Sequence, residues 1–495
     1  LCGDPKEVLS NFEKLIIECE KIGLKINPSK CELFFCSEQD DSVISSFNQV
    51  SPGIKVITED LELLGAPLTN VATKRLLNTK KIQISTLTER LSNLKHHIAF
   101  YILRHCFTIP KLTYILRTSC CFNFEQDLQE IDFIITRALE ENINSQLSDE
   151  QWTISSLPVH FGGLGIRKVT DVALPAFLAS INSVIELVNM MLPQISDESI
   201  VANYMDSLSK WSSMNESVPQ ENKEIQKAWD LIAIDRIVNS LQLSTDEEKA
   251  RYNASLTKES NGWLTVLPSR YIGTLLDDNT FRISVALRLG LDICIPHQCT
   301  KCGDQVEKNG IHGLSCKYSA GRHPCHSEFN NIIHRGLQSA YFPSKLEPPL
   351  YRDNGKRADG VTLIPWSHGK MLVWDATIRD TLAPSYLHSS SLRTGSLASR
   401  AASEKTNDYK KLIADNYIFL PFACETLGPW CEEAVKFIDK LGKMIHLATG
   451  EKRSKQYLKQ RISIALQRTN AARVMGTFDG ATKLDEIFYI ISNDV

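Results

Sequence analysis

Four residues in one short stretch have the types that bind a borderline-soft metal. Cys299, Cys302, His312 and Cys316 form a C-x2-C-x9-H-x3-C pattern. Zinc takes four thiolate or imidazole ligands at tetrahedral corners. A C-x2-C pair fits one tight turn, which Gly303 eases, and an H-x3-C pair lies about one helical turn apart. Gly310 and Gly313 permit the reversal between the pairs. The spacing predicts a structural zinc knuckle, a clip often found near nucleic acid. Buried or unpaired thiols are the plainer alternative, and Cys294, His297, His323 and Cys325 are nearby substitutes.

A second group is acidic. VTLI and MLVW are short apolar runs bounded by Gly, Pro and charges, so they read as strands. Each carries an aspartate at one end, Asp359 and Asp375. Antiparallel pairing through the PWSHGK turn brings those ends together. ASEKTNDYKKLI then reads as a helix bearing Glu404, Lys405, Lys410 and Lys411. Phosphodiester hydrolysis needs a divalent cation to hold the scissile phosphate and activate water. Two carboxylates on adjacent strands suit Mg2+ or Mn2+, and a lysine can orient or deprotonate the water and offset developing charge. Asp359, Asp375 and Lys405 fit those roles. On spacing alone, strand-end aspartates and a solvated lysine face fit as well.

The elements that must position these groups follow from pattern. EVLSNFEKLIIECEKIG is helical in period and stops at Gly23; LKINPSKCELFFC reads as a strand pair and LELLGAPL as another short strand. Residues from Lys74 to about Glu141 are helical almost throughout, with a break or kink at Pro110. SLPVHFGGLGI is a glycine-rich turn, 169–250 are mostly amphipathic helices, and 195–225 are polar and loop-rich. HSEFNNIIHRGL is helix-like. Texture changes near residue 295, where a boundary is placed.

The chain has 495 residues, enough for several domains, with 43% apolar residues, 23% charged residues and a net charge of −3. Nucleic-acid binding must therefore come from local basic patches. No run of about 18 apolar residues is seen, which predicts no membrane span. Most cysteines, including Cys19, Cys36, Cys106, Cys424 and Cys431, read as buried thiols in a reducing compartment. The opening LCGDPKEVL has no leader pattern and begins on Leu1, so the chain reads as a fragment entered within a domain.

The stretches CTKCG, IHGLSCKYSAGRH, LEPPLYRDNGKRADGVTLIPW, VWDATIRDTLAPSY, SEKTNDYK, FACETLG and QRISIALQRTNAA resemble the C-terminal part of non-LTR retrotransposon polyproteins that carry a restriction-enzyme-like endonuclease. The resemblance implies a PD-(D/E)xK fold, a central mixed sheet flanked by helices. It places the first acid at Asp359, after Ala358 where the family has proline, and the second at Asp375. Thr377 stands where the usual lysine would be. In the resembled subgroup that lysine is displaced to the next helix, at Lys405, with Asp408 where a second lysine is expected and Lys410 as its substitute. Glu328 and Glu425 are candidate supports, and Arg322 and His323 match a basic pair that contacts DNA.

LCGDPKEVLSNF, GLKINPSKCELFF and LELLGAPL resemble the end of a reverse transcriptase, and LRHCFTIPKLTYILRT its thumb, where Lys95, Arg104, Lys111 and Arg117 would follow a primer–template backbone. The implied order is a truncated palm end (1–72), helical thumb (73–160), helical linker (161–294), zinc knuckle (295–326), endonuclease (327–476) and tail (477–495). The expectation is a multidomain α+β enzyme, an endonuclease dependent on Mg2+ or Mn2+ with structural Zn2+, nicking target DNA in the nucleus to prime copying of element RNA. No membrane partner is expected. A non-catalytic nucleic-acid-binding module or an inactive remnant is the alternative.

Overall fold

The computed structural model describes residues 1–36, 38–191, 198–319, 322–350 and 357–479. Side chains of 198–202 and 322–325 lie outside that description, as do residues 351–356 and most of the 477–495 tail. The protein is of mixed α+β class. Its chain forms two compact units, each built from separated segments: Leu1–Gln83, Leu112–Ile131 and Val172–Trp229 in one, Ile84–Lys111, Asp132–Asp171 and Asp230–Val495 in the other.

In the smaller unit the Pro5–Lys21 helix starts where Asp4 accepts the Lys6 N–H at 2.9 Å and stops before Gly23, at φ +79°. The expected strand pair within 24–36 does not form. Glu32–Phe34 pairs in parallel with Lys55–Ile57, and the Asp41–Val50 helix between them makes the crossover that parallel pairing requires. LELLGAPL is a hairpin and not one strand. Leu64 (φ +52°) and Gly65 (φ +81°) adopt the left-handed pair that a two-residue turn needs between Glu62–Leu63 and Ala66–Pro67. Residues expected to be loop-rich include the Glu198–Met214 helix. There Tyr204, Ser207 and Trp211 make a narrow stripe at helical spacing, and Trp211 meets Trp229 edge-on at 5.0 Å.

Helix Val169–Met191 is long and apolar enough to cross a bilayer by composition, against the expectation of no such segment. Residues 172–179 of it are buried within the protein. None of the described cysteines forms a disulfide; Cys424 and Cys431 are buried as expected, whereas Cys36 and Cys106 are exposed.

The larger unit is organised by a four-stranded mixed sheet. Its strands are β1 (Ser344–Leu346), β2 (Gly360–Thr362), β3 (Leu372–Arg379) and β4 (Ile418–Glu425), in the order β4-β3-β2-β1. The first three pair antiparallel, and β3 and β4 run parallel over eight residues, from Leu372↔Ile418 to Arg379↔Glu425. That pairing carries β3 beyond Asp375, so the second acid sits mid-strand and not at a strand end as expected. Pro421 is tolerated in β4 because β4 is an edge strand.

Helix α1 (Arg322–Ser339) precedes the sheet, α2 (Ser396–Asp408) and α3 (Lys410–Ala414) cross from β3 to β4, and α4 (Glu432–Thr449) and α5 (Ser454–Met475) follow. Phe329, Ile333, Trp374, Phe422, Ile438 and Leu466 form one buried core of these elements. Ala358, Val361, Val373, Tyr409 and Leu412 form a second.

From Ile462 to Val474 helix α5 is buried on every side despite a polar sequence, whereas Gln456 and Tyr457 near its start are exposed. Most of its buried polar side chains are partnered, although Asn470 Oδ1 and Arg473 Nε have no hydrogen bond among the described residues. Arg468 donates to the Leu275 carbonyl at 2.9 Å, Asn470 to the Thr426 carbonyl at 2.6 Å, and Ser463 accepts the Trp263 N–H at 3.0 Å. The unit continues through residue 295 unbroken. Leu314 of the cysteine–histidine segment packs with Ile283, Leu287, Ala471 and Val474.

Buried His97 gives this unit a pH signature. Its ring stacks on Phe281 at 5.3 Å and its Nδ1 accepts the Leu276 N–H at 3.1 Å, which requires the neutral ring. Burial pulls its pKa down to about 4 from 6.5. Protons therefore bind the unfolded chain better, so the contribution is full above pH 6.5 and is lost as pH falls toward 4, by up to roughly 3 kcal/mol. Urea midpoints at pH 7 and pH 5 should differ more for the parent than for His97→Gln; equal differences would refute this role.

Candidate metal centre and acidic site

The cysteine–histidine segment starts as a two-residue hairpin, His297–Gln298 against Gln305–Val306. Cys299 and Cys302 lie in its turn. Gly303, at φ +80°, donates its N–H to the Cys299 carbonyl at 2.8 Å, and the Cys299 N–H reaches the Asp304 carbonyl at 2.8 Å. His312 opens the short His312–Ser315 helix and Cys316 caps its end. Gly310 turns left-handed as expected (φ +64°), but Gly313 serves a different purpose. A Cβ there would lie 2.7 Å from the Arg473 carbonyl, so Gly313 lets this helix approach α5.

One ligand atom from each of Cys299, Cys302, His312 and Cys316 lies within 4.8 Å of all the others. Tetrahedral ligands on arms of about 2.3 Å sit roughly 3.8 Å apart, so the cluster is within about 1 Å of what zinc imposes. Cys302 Sγ and His312 Nε2 are 3.2 Å apart. Burial pushes the Cys299 thiol up, but the N–H groups of Lys301 and Cys302 aim at its sulfur and bring it below its ordinary value. Three sulfurs and an imidazole this close fit a cation that takes thiolates, and these four residues can hold a metal such as zinc. Two proposed substitutes are engaged elsewhere: Cys294 donates to the Glu307 carbonyl, and His297 bonds Thr477 Oγ1 at 3.0 Å. The side chains of His323 and Cys325 lie outside the described residues.

The acids sit at the two central strands, Asp359 immediately before β2 and Asp375 within β3. The Asp359 N–H donates to the Trp374 carbonyl at 3.1 Å, and Asp359 Oδ2 accepts the Ala376 N–H at 2.7 Å, so the first acid bonds on both sides of the second. Asp375 is fully buried. Its Oδ1 meets Lys405 Nζ at 2.5 Å and its Oδ2 accepts the Tyr409 hydroxyl at 2.5 Å. Lys405 and Tyr409 are four residues apart at the end of α2, hence on one face. Ala358 makes a bond that proline could not, from its N–H to the Leu350 carbonyl at 2.9 Å.

Sequence reasoning missed three neighbours. His326 Nδ1 lies 3.8 Å from Asp359 Oδ2, and Asn330, one turn later on α1, hydrogen-bonds Asp359 while accepting the Trp374 Nε1–H at 3.2 Å. Tyr409 is the third. Polar residues spaced by four on the helices before and after the acids were the available signal. Burial raises Asp359, but His326, the Ala376 N–H and Asn330 outweigh it, so its carboxyl is held below the ordinary value and stays charged at neutral pH.

Other predicted residues are placed differently. Glu425 Oε1 accepts the N–H groups of Leu397 and Ala398 at 3.1 and 3.2 Å, supplying the cap that Gly395 cannot give α2. Burial raises its pKa. Glu328 faces α5 through Arg461 at 3.4 Å and makes no described bond to either acid. Lys410 is not on the helix of Lys405: the chain breaks at Tyr409, and Lys410 begins α3 exposed to solvent. Asp408 ends α2 half-buried.

Arg322 and His323 open α1 with side chains outside the described residues. Lys95, Arg104 and Lys111 belong to the larger unit and Arg117 to the smaller. Lys111 is exposed, while Arg104 turns inward to donate to the Leu264 carbonyl at 2.7 Å. Pro110 falls in the first turn of the Ile109–Thr118 helix, after a break at Thr108, as its chemistry requires.

No protein-family model and no curated protein matches the chain.

Proposed function

We propose that the larger unit is a divalent-metal-dependent endonuclease that nicks target DNA, with Asp359, Asp375 and Lys405 as its reacting groups. The observation that carries the reading is the contact of Lys405 with Asp375 at 2.5 Å, between a strand and a helix thirty residues on, while Asp359 bonds the backbone on both sides of Asp375. A buried ammonium beside two strand-borne carboxylates is the donor set that phosphodiester cleavage asks for.

Asp359 and Asp375 are the residues that would hold Mg2+ or Mn2+, which supplies positive charge to the scissile phosphate and acidifies a water. Lys405 keeps an ammonium next to that position, to orient the water and offset charge on the phosphate oxygens. Tyr409 fixes the second oxygen of Asp375, and Glu425 fixes the start of α2, so the lysine is aimed by the helix that carries it. The Cys299–Cys302–His312–Cys316 site is a structural zinc clip in the same unit. In the retroelement proteins that the chain resembles, the 3′-OH of such a nick primes copying of element RNA, which makes target DNA and element RNA the partners and the nucleus the compartment.

One observation favours the alternative, a module that holds nucleic acid without cutting it: Asp375 is 0% exposed and both its oxygens are bonded within the protein. A supercoiled-plasmid assay with Mg2+ separates the two. Nicking by the full chain should slow at least about 100-fold in Asp375→Asn. Salt-sensitive binding with no cleavage by the parent would favour the binding module.

A further inference from the structure

A cleft of about 460 Å³ opens in the larger unit, lined by none of the metal ligands or acids above. One wall is the glycine-rich turn, with Pro158, Val159, His160, Gly165 and Arg167. Arg104, Lys258, Asn261 and Thr265 complete the lining. Arg104, Arg167 and Lys258 bring fixed positive charge and His160 a ring that can take a proton, while no carboxylate lines the cleft. Outside the lining, Asp230 lies 3.5 Å from Arg167, and buried Asp171 also interacts with that guanidinium.

The turn explains how the charges come so close to backbone. Gly165 is at φ +80°, and a Cβ there would lie 2.7 Å from Arg104 Nε, so only glycine lets the wall rest on that guanidinium. Behind the wall, Arg288 donates to the Gly163 carbonyl at 3.1 Å and to Asn261 Oδ1 at 2.8 Å. Burial, and then the nearby Arg104, pull Arg288 down to about 9. Asp230 offsets Arg167, but no carboxylate lines the cleft beside Arg104 and Lys258, and positive charge of this kind attracts an anion. Lys258 and His160 are exposed at the mouth, and the His160 ring lies 4.6 Å from that of Phe161.

We propose that this cleft is a phosphate-binding subsite for a single-stranded polynucleotide. Arg104, Arg167 and Lys258 meet the phosphate oxygens, and the His160–Phe161 pair offers a face on which a base stacks. A space of this size admits about one or two nucleotides and excludes a duplex. The subsite rests on no part of the cleavage reading, since it uses neither acid nor Lys405.

Fluorescence anisotropy of the full chain with labelled single strands of about 15 nucleotides, RNA and DNA, without added divalent cation, tests it. Lys258→Glu removes a charge whose side chain makes no described bond, so the fold stands. Binding should weaken about tenfold, and the slope of log K against log salt should become shallower by roughly 0.7 or more. Lys443→Glu, exposed on α4, should change binding less than about twofold. Unchanged binding by Lys258→Glu, or equal loss in both variants, overturns the proposal. So does displacement of the strand by inorganic phosphate or a mononucleotide with the strand's own affinity, which would assign the cleft to a free nucleotide. Absent cleavage with Lys258-dependent binding would count against the nuclease alone.

Discussion

Cys299→Ser should strip the metal from the chain, from about one equivalent of zinc to below about 0.2, and loosen residues 295–319. Cys299 is 2% exposed and shares a small core with Val306 and Cys316. That core is too small to order the segment without its clip, because structural zinc contributes about 10–16 kcal/mol in isolated fingers and a set of three ligands recovers only part of it. The larger unit keeps its own cores, so the change is local unfolding and not global collapse. Loss of Leu314 from its contacts with Ala471 and Val474 should also fray the end of α5. Metal analysis with limited proteolysis reads both effects. Less than half an equivalent of zinc in the parent, or an unchanged digestion pattern in the variant, would sink the assignment.

Asp375→Ala should lower the stability of the larger unit by about 3–5 kcal/mol, because removing one partner of a buried pair strands the other. Lys405 is only 12% exposed, and Tyr409 is fully buried with its hydroxyl on the same carboxylate. Asp375→Asn keeps the shape and one acceptor and should cost less. The double variant Asp375→Leu with Lys405→Met, which removes both charges, should regain much of the loss. Thermal melts of the parent, Asp375→Leu, Lys405→Met and the double variant give the coupling between the two residues. If Asp375→Ala melts with the parent, Asp375 and Lys405 are not the buried pair described, and the lysine is not held where cleavage needs it.

Legibility in the sequence differed from feature to feature for physical reasons. The cysteine–histidine set was readable because metal ligation is local: four ligand types and their spacing carry nearly all the information, and the four side chains do converge. The two acid-bearing strands were readable from short apolar runs, and β2 and β3 do pair antiparallel beside Asp359. The extent of β3 was less so: the apolar run MLVW ends at Asp375, and the alternating ATIR beyond it is fixed as strand by its parallel register with β4, supplied by residues more than forty positions later. Leu363 and Ile364, read as part of the strand VTLI, are exposed just past the end of β2.

Helix α5 shows the limit most clearly. Gln467, Arg468, Asn470 and Arg473 would place QRISIALQRTNAAR on a surface, yet all are buried. Burial there depends on carbonyls offered by distant segments such as Gly273–Leu275 and Thr426, which no local pattern encodes. The break between α2 and α3 has a similar origin. Tyr409 carries no helix-breaking signal, but its buried ring stacks on Phe419 at 4.3 Å and its hydroxyl is tied to Asp375. The weaving of the chain between two compact units was equally invisible, since it is fixed by packing between segments far apart in sequence.

The most direct test of the account is the rate at which the full chain converts supercoiled plasmid to nicked circle as Mg2+ is raised, for the parent and for Asp359→Asn. Asp359 stays charged at neutral pH, is only partly covered, and keeps its fold contacts as asparagine. The account predicts a parent rate that rises and saturates with Mg2+ and a variant at least about 100-fold slower at every concentration. Equal rates in the two proteins would contradict it.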